Sequence, residues 1–209
     1  ETIEIIEPFP FNLTIAGGGG TESTEIAVEI DDGAGNLVTQ PFLVRFQLLQ
    51  NTPNGVFLNE GETEFSWQTS SNGLASVSIN SGTQPGTVPL RVELFYLGTQ
   101  ELGCVPDEGV DAETIFAYNP YAADGEEGCH PIDEEDFIHP GGNDLSPNYS
   151  SFGIADAEAI PVTIVTGPPH SGQITFSFSE ITQPGAGVYR MPVAIEYEDI
   201  YANPVQDCT

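Results

Sequence analysis

Apolar residues recur at every second position through one segment after another of this chain, and turn residues separate the segments. A period of two is the spacing of a strand with one buried and one wetted face. Residues 11–16, 25–30, 42–48, 55–58, 62–68, 75–79 and 88–95 read this way, with Gly, Pro, Asn and Asp between them. The tract Gly17-Gly18-Gly19-Gly20 ends the first segment, because only a loop can use four such residues in a row. Strongly periodic helical stretches are missing from the sequence. Short strands at this spacing predict an all-β sandwich.

Two distant stretches also share one pattern. Ile26-Ala27-Val28-Glu29-Ile30-Asp31-Asp32 leads to Asn36-Leu37-Val38, and Val193-Ala194-Ile195-Glu196-Tyr197-Glu198-Asp199 leads to Asn203-Pro204-Val205. Each is an alternating strand that runs into an acidic turn. Recurrence at domain-sized spacing predicts an array of β-domains. The later copy starts close to Thr209, which predicts either a piece of a longer polypeptide or strands supplied by a neighbouring chain. The Ile-rich residues 1–8 are the candidate donor in the second case.

Three motifs stand in series within residues 9–103. They are Asp32-Gly33-Ala34-Gly35-Asn36-Leu37-Val38, Thr69-Ser70-Ser71-Asn72-Gly73-Leu74-Ala75-Ser76-Val77 and Ser81-Gly82-Thr83-Gln84-Pro85-Gly86-Thr87-Val88. With one extra residue in the second turn, the series resembles the bacterial immunoglobulin-like domain of the intimin/invasin group. The resemblance implies an immunoglobulin-like β-sandwich, usually in tandem, in extracellular adhesins and other large surface proteins. It implies no catalytic residues. The later copy matches the opening part of the pattern alone. The expected organisation is an extended lead-in at 1–8, a sandwich at 9–103, an acidic insertion or linker at 104–160, and the start of a second immunoglobulin-like domain at 161–209.

Charge narrows the partners. Asp and Glu total 32 against three Arg and no Lys, a formal net charge of −29. Such a surface repels nucleic acid and anionic lipid head groups. It suits a salty environment, capture of divalent cations, or simple solubility. No apolar run approaches the ~20 residues that span a bilayer, so direct membrane insertion is not expected. The expected partners are protein, by self-association or through neighbouring domains, and a glycan or cell-surface ligand. The expected place is outside the cell.

Cys104 and Cys129 flank a Gly- and acid-rich excursion and are the expected disulfide in an oxidising compartment, reduced thiols being the alternative. Cys208 is then left over. Calcium is the candidate cofactor, with two candidate sites. Asp31, Asp32 and Asn36 form an acidic turn, for which the alternative is a turn whose side chains cap their own backbone. Asp133, Glu134 and Asp136 lie in a cluster flanked by His130 and His139, for which the alternative is a solvated loop. Asn12 and Asn148 open glycosylation sequons. No nucleophile elbow or phosphate loop appears, so the expectation is a non-enzymatic structural or adhesive module. The other reading is a carbohydrate- or calcium-binding accessory module of a large secreted hydrolase.

Overall fold

The computed structural model describes residues 2–6, 12–32, 34–104, 114–119, 128–131 and 154–205. The described residues are dominated by β-strands, as the alternating pattern requires. One sheet has the order β1-β3-β7-β5, formed by Thr2–Ile5, Ser23–Asp31, Leu74–Asn80 and Phe57–Leu58. The second is centred on β8 (Gly86–Leu97). On one side of β8 lies β4 (Phe42–Leu48), which carries β6 (Phe65–Thr69). On the other lies β11 (Ile154–Val165), which carries β2 (Asn12–Thr14) in parallel. The hairpin β9 (Phe116–Asn119) and β10 (Gly128–Pro131) extends from the end of β8 through Tyr96 and Leu97.

The two sheets face one another over an apolar core. Ile26, Val28 and Ile30 of β3 meet Phe42, Val44 and Phe46 of β4, Val88, Leu90, Val92 and Leu94 of β8, and Ile160, Val162 and Ile164 of β11. These are alternate residues of each strand, so the period of two in the sequence becomes the inner face of a sandwich. All seven segments read from the sequence contain strands, with ends shifted by a few residues. The second sheet departs from the expected wet outer face, because every residue of β4 is buried.

The division of the chain differs from the one expected. Residues 2–5 are a strand of the first sheet, with Ile3 opposite Ile30 and Ile5 opposite Val28 of the same chain. They therefore fill a place in their own sandwich. Residues 154–165, expected as part of the insertion and the start of a second domain, pair along β8 and complete the first sandwich. The reason is physical: β8 is apolar along its whole inner face and needs a neighbour on each side, and Ile160, Val162 and Ile164 supply it.

After Val165, residues 166–170 connect to a separate small unit. Here β12 (Ser171–Phe176) pairs with β15 (Val193–Glu198), and β13 (Thr182–Gly185) pairs with β14 (Val188–Arg190). Register places Ile174 opposite Ile195 and Phe176 opposite Val193, so these four share one face. They stand half exposed, Ile195 at 54%, whereas Val28 in the matching place of β3 is at 0%.

Candidate functional site

The two acidic turns leave equivalent strands and are built alike. At the end of β3, the Asp32 N–H donates to the Asn36 carbonyl at 3.0 Å, and the Val38 N–H donates to the Ile30 carbonyl at 2.9 Å. Asp32 Oδ1 accepts the N–H groups of Ala34 (2.9 Å) and Asn36 (3.2 Å), and the Asn36 amide donates to both carboxylate oxygens. At the end of β15, the Asp199 N–H donates to the Asn203 carbonyl at 2.9 Å, and the Val205 N–H donates to the Tyr197 carbonyl at 2.9 Å. Asp199 Oδ1 accepts the N–H groups of Tyr201 (2.8 Å) and Asn203 (3.0 Å), and the Asn203 amide again donates to both oxygens. Gly35 and Ala202 occupy the same position of the two turns, with φ of 83° and 62°. A negative side chain that accepts successive N–H groups holds such a turn closed without any ligand.

Each carboxylate is accordingly easier to ionise than a free one. Asp32 is held below its ordinary value by the Asn36 amide and by the N–H groups of Ala34 and Asn36. Burial pushes Asp199 upward, but the Asn203 amide and the N–H groups of Asn203, Tyr201 and Gly167 outweigh it, so the net direction is also down. A depressed folded value means that the stabilisation is complete above the unfolded carboxyl value, about 3.9, and drains away as pH falls through the lower folded value. We therefore expect the urea midpoint of the wild-type protein to fall below about pH 4 more steeply than that of Asp199→Asn. Parallel pH profiles for the two proteins would contradict this account of the turn.

The surroundings of the turns differ. The Asp32 turn is exposed, whereas Asp199 is 2% exposed. The Asn203 amide makes one further bond, to the Thr83 carbonyl in the loop between β7 and β8, at 2.9 Å. Asp199 also accepts from Gly167, in the connection between β11 and β12. Gly167 lies against the glycine tract: a Cβ there would stand 3.2 Å from the Gly18 Cα, and one at Gly17 would meet the Tyr201 hydroxyl at 3.5 Å. The four-glycine tract is thus a loop, as its composition demands, and it is also the surface on which the following unit rests.

A second cluster lies on the outer face of the β8 sheet. Register sets Arg45 opposite Glu93 on one side and opposite Trp67 on the other. Arg45 Nε donates to Glu93 Oε2 at 2.6 Å, its terminal nitrogen pairs with the same oxygen, and Arg91 pairs with Glu93 Oε1 at 2.9 Å. All three side chains are buried. The Arg45 guanidinium also sits 5.5 Å from the Trp67 ring centre and 5.4 Å from that of Phe95. Burial pushes Arg45 down from its ordinary value, and the charge and hydrogen bonds of Glu93 oppose that shift. Sequence reasoning missed this cluster. The available signal was that two of the three Arg, in a chain without Lys, fall within largely apolar strands.

The remaining expected sites fall as follows. Cys104 and Cys129 are bonded to each other. Asp31 ends β3, paired with Thr2, one residue before the Asp32 cap. Asn12 is exposed on β2. His170 is exposed in the connection, with its N–H donating to the Glu198 carbonyl at 2.8 Å. Asp133, Glu134, Asp136, His139, Asn148 and Cys208 lie outside the described residues. Among the described residues no three His, Cys, Asp or Glu side chains gather as a metal-binding group. A surface cleft of about 370 Å³ beside Pro53, Asn54, Phe57 and Thr63 has no titratable side chain in its lining. No helix among the described residues is long and apolar enough to cross a membrane.

Neither a protein-family model nor a curated protein matches the chain. Among solved structures it is similar to a conjugative transposon lipoprotein from Bacteroides eggerthii. The match has 14% identity and a TM-score of 0.31, and it covers 46% of this chain and 83% of that one.

Proposed function

We propose that the chain is a non-enzymatic structural module of a bacterial surface protein, built from immunoglobulin-like sandwiches in series. The observation that carries this reading is the reappearance of one strand-and-turn device, with the same carboxylate cap and the same strand-closing bonds, at the ends of β3 and β15, with the second copy packed on the first sandwich. Strand order supports the immunoglobulin-like part. β1-β3-β7-β5 faces β4-β8-β11, the arrangement of an ABED sheet over a CFG sheet, and the first strand is split between the two as β1 and β2. The departure is β6, an added strand beyond β4.

Charge fits an exposed support. With no Lys in the chain and Arg45 and Arg91 both buried, Arg190 is the one arginine left to face solvent beside 32 acids. Such a surface keeps the chain soluble, and it disfavours anionic partners. The disulfide fits an oxidising compartment.

The test is immunogold electron microscopy of intact cells that make the protein, with an antibody raised against this chain. Label on the outer surface, along elongated projections that survive a calcium chelator, is the expected result. Label confined to the cell interior would refute an extracellular role. Loss of the projections on chelation would transfer the stiffening role to bound metal.

A further inference from the structure

The sandwich has two unlike ends. The Ser81-Gly82-Thr83 loop lies at the end where Ser23 pairs with Asn80, and the Asp32 turn lies at the opposite end of β3. The first end is occupied within the chain, by the Asp199–Asn203 turn of the following unit. The second end presents the same turn with the same internal hydrogen bonds, but in solvent. Register extends the match: Thr2 faces Asp31 as Ser171 faces Glu198, and Ile5 faces Val28 as Ile174 faces Ile195. The Asn36 amide is therefore held as the Asn203 amide is, by a carboxylate that fixes its orientation.

We propose that the Asp32–Asn36 turn is a docking surface for the Ser81–Gly86 loop of another sandwich of this build, so that the chain carries both halves of one head-to-tail junction. The proposal rests on the reading of the chain as a serial module and names the contact that joins its units. The Asn36 amide donates to the carbonyl equivalent to Thr83, and Ala34, at the position of Tyr201, faces the partner's glycine tract. Unlike ends that fit one another make an open array rather than a closed pair. Specificity comes from the shape of the partner loop. Gly82 packs so closely on residues 54–56 that a Cβ there would stand 2.1 Å from the Asn54 carbonyl oxygen, so the shape of this loop depends on glycine at that position. One amide bond is a weak contact alone. It becomes effective when a short connection holds the two ends at millimolar effective concentration.

A fusion chain tests this, in which residues 1–170 precede a second copy that starts at Thr2, with Cys208→Ser throughout. The shared register puts the second copy's Asp32 turn where the Asp199 turn stands in the native chain. Gln84→Cys in the first copy and Ala34→Cys in the second are treated with a short thiol cross-linker. The reference is Gln84→Cys with Tyr201→Cys in the single chain, and the control replaces Ala34→Cys by Thr63→Cys, at the far end of the second copy. Cross-linking as fast as the reference, at least about tenfold faster than the control, and slowed by Asn36→Ala, is the expected result. A reference that reacts beside a fusion no faster than the control would overturn this proposal and leave the serial module standing. A reference no faster than the control would overturn both.

Discussion

Replacing Glu93 by alanine is expected to lower the unfolding free energy by about 3–5 kcal/mol, because it leaves buried cations without their anion. That is a large share of the 5–15 kcal/mol a domain of ordinary stability has. Glu93 is the shared partner of Arg45 and Arg91, and each arginine disfavours the charge of the other once the carboxylate is gone. Trp67 and Phe95 offer Arg45 their ring faces, which compensates only partly. The pairs themselves need not add net stability, since two charges taken out of water lose about as much as they regain. A triple replacement, Arg45→Met with Arg91→Met and Glu93→Leu, is therefore expected to lie within about 2 kcal/mol of the wild type. Urea unfolding of both variants separates the two statements. A loss below about 1 kcal/mol for Glu93→Ala would be the behaviour of a solvent-exposed pair and would contradict the burial of the cluster.

The strands were legible because alternation survives any register: wherever Val88, Leu90, Val92 and Leu94 pair, they share a face. What alternation lacks is the identity of the neighbour. The run at 160–165 alternates equally well as the last strand of one sandwich or the first of another, and only the unfilled edge of β8 decides for the former. Thr2–Ile5 was obscured in a similar way, since Pro8 and Pro10 cut it off from the next strand while its partner, β3, lies well downstream. The turn at Asp32 was readable as chemistry, because Asp followed by Asn four residues later can close on its own backbone. Its counterpart's bond to Thr83 was not readable, as it joins residues 120 positions apart. The Arg45–Glu93–Arg91 cluster depends on the relative register of β4 and β8, which hydrophobic pattern does not specify to the residue.

Removing the disulfide by Cys104→Ser with Cys129→Ser is expected to destabilise the protein by about 3 kcal/mol, the loop-closure entropy returned to the unfolded chain. Its two residues are 25 apart in sequence, and between them the chain forms β9. The hairpin of β9 and β10 is tied to the rest of the sheet through Tyr96 with Tyr118, Leu97 with Ala117, and the Gly98 N–H donating to the Phe116 carbonyl at 2.7 Å. A two-stranded ribbon is marginal by itself, so two outcomes compete once the covalent tie is cut. The hairpin can stay docked, in which case the whole entropic loss appears in global stability. It can instead come away, in which case the native state gains the same freedom and the midpoint barely moves. Packing decides for the first. Ala117 is 1% exposed and belongs to an apolar cluster with Leu43 and Phe95, against which Trp67 packs. Trp67 is the sole tryptophan, so its fluorescence reports on that cluster directly. The docked outcome is a lowered urea midpoint with unchanged emission in the absence of denaturant. Red-shifted emission at zero denaturant with an unchanged midpoint would show that the disulfide, and not the Ala117 contact, holds the hairpin to the sheet.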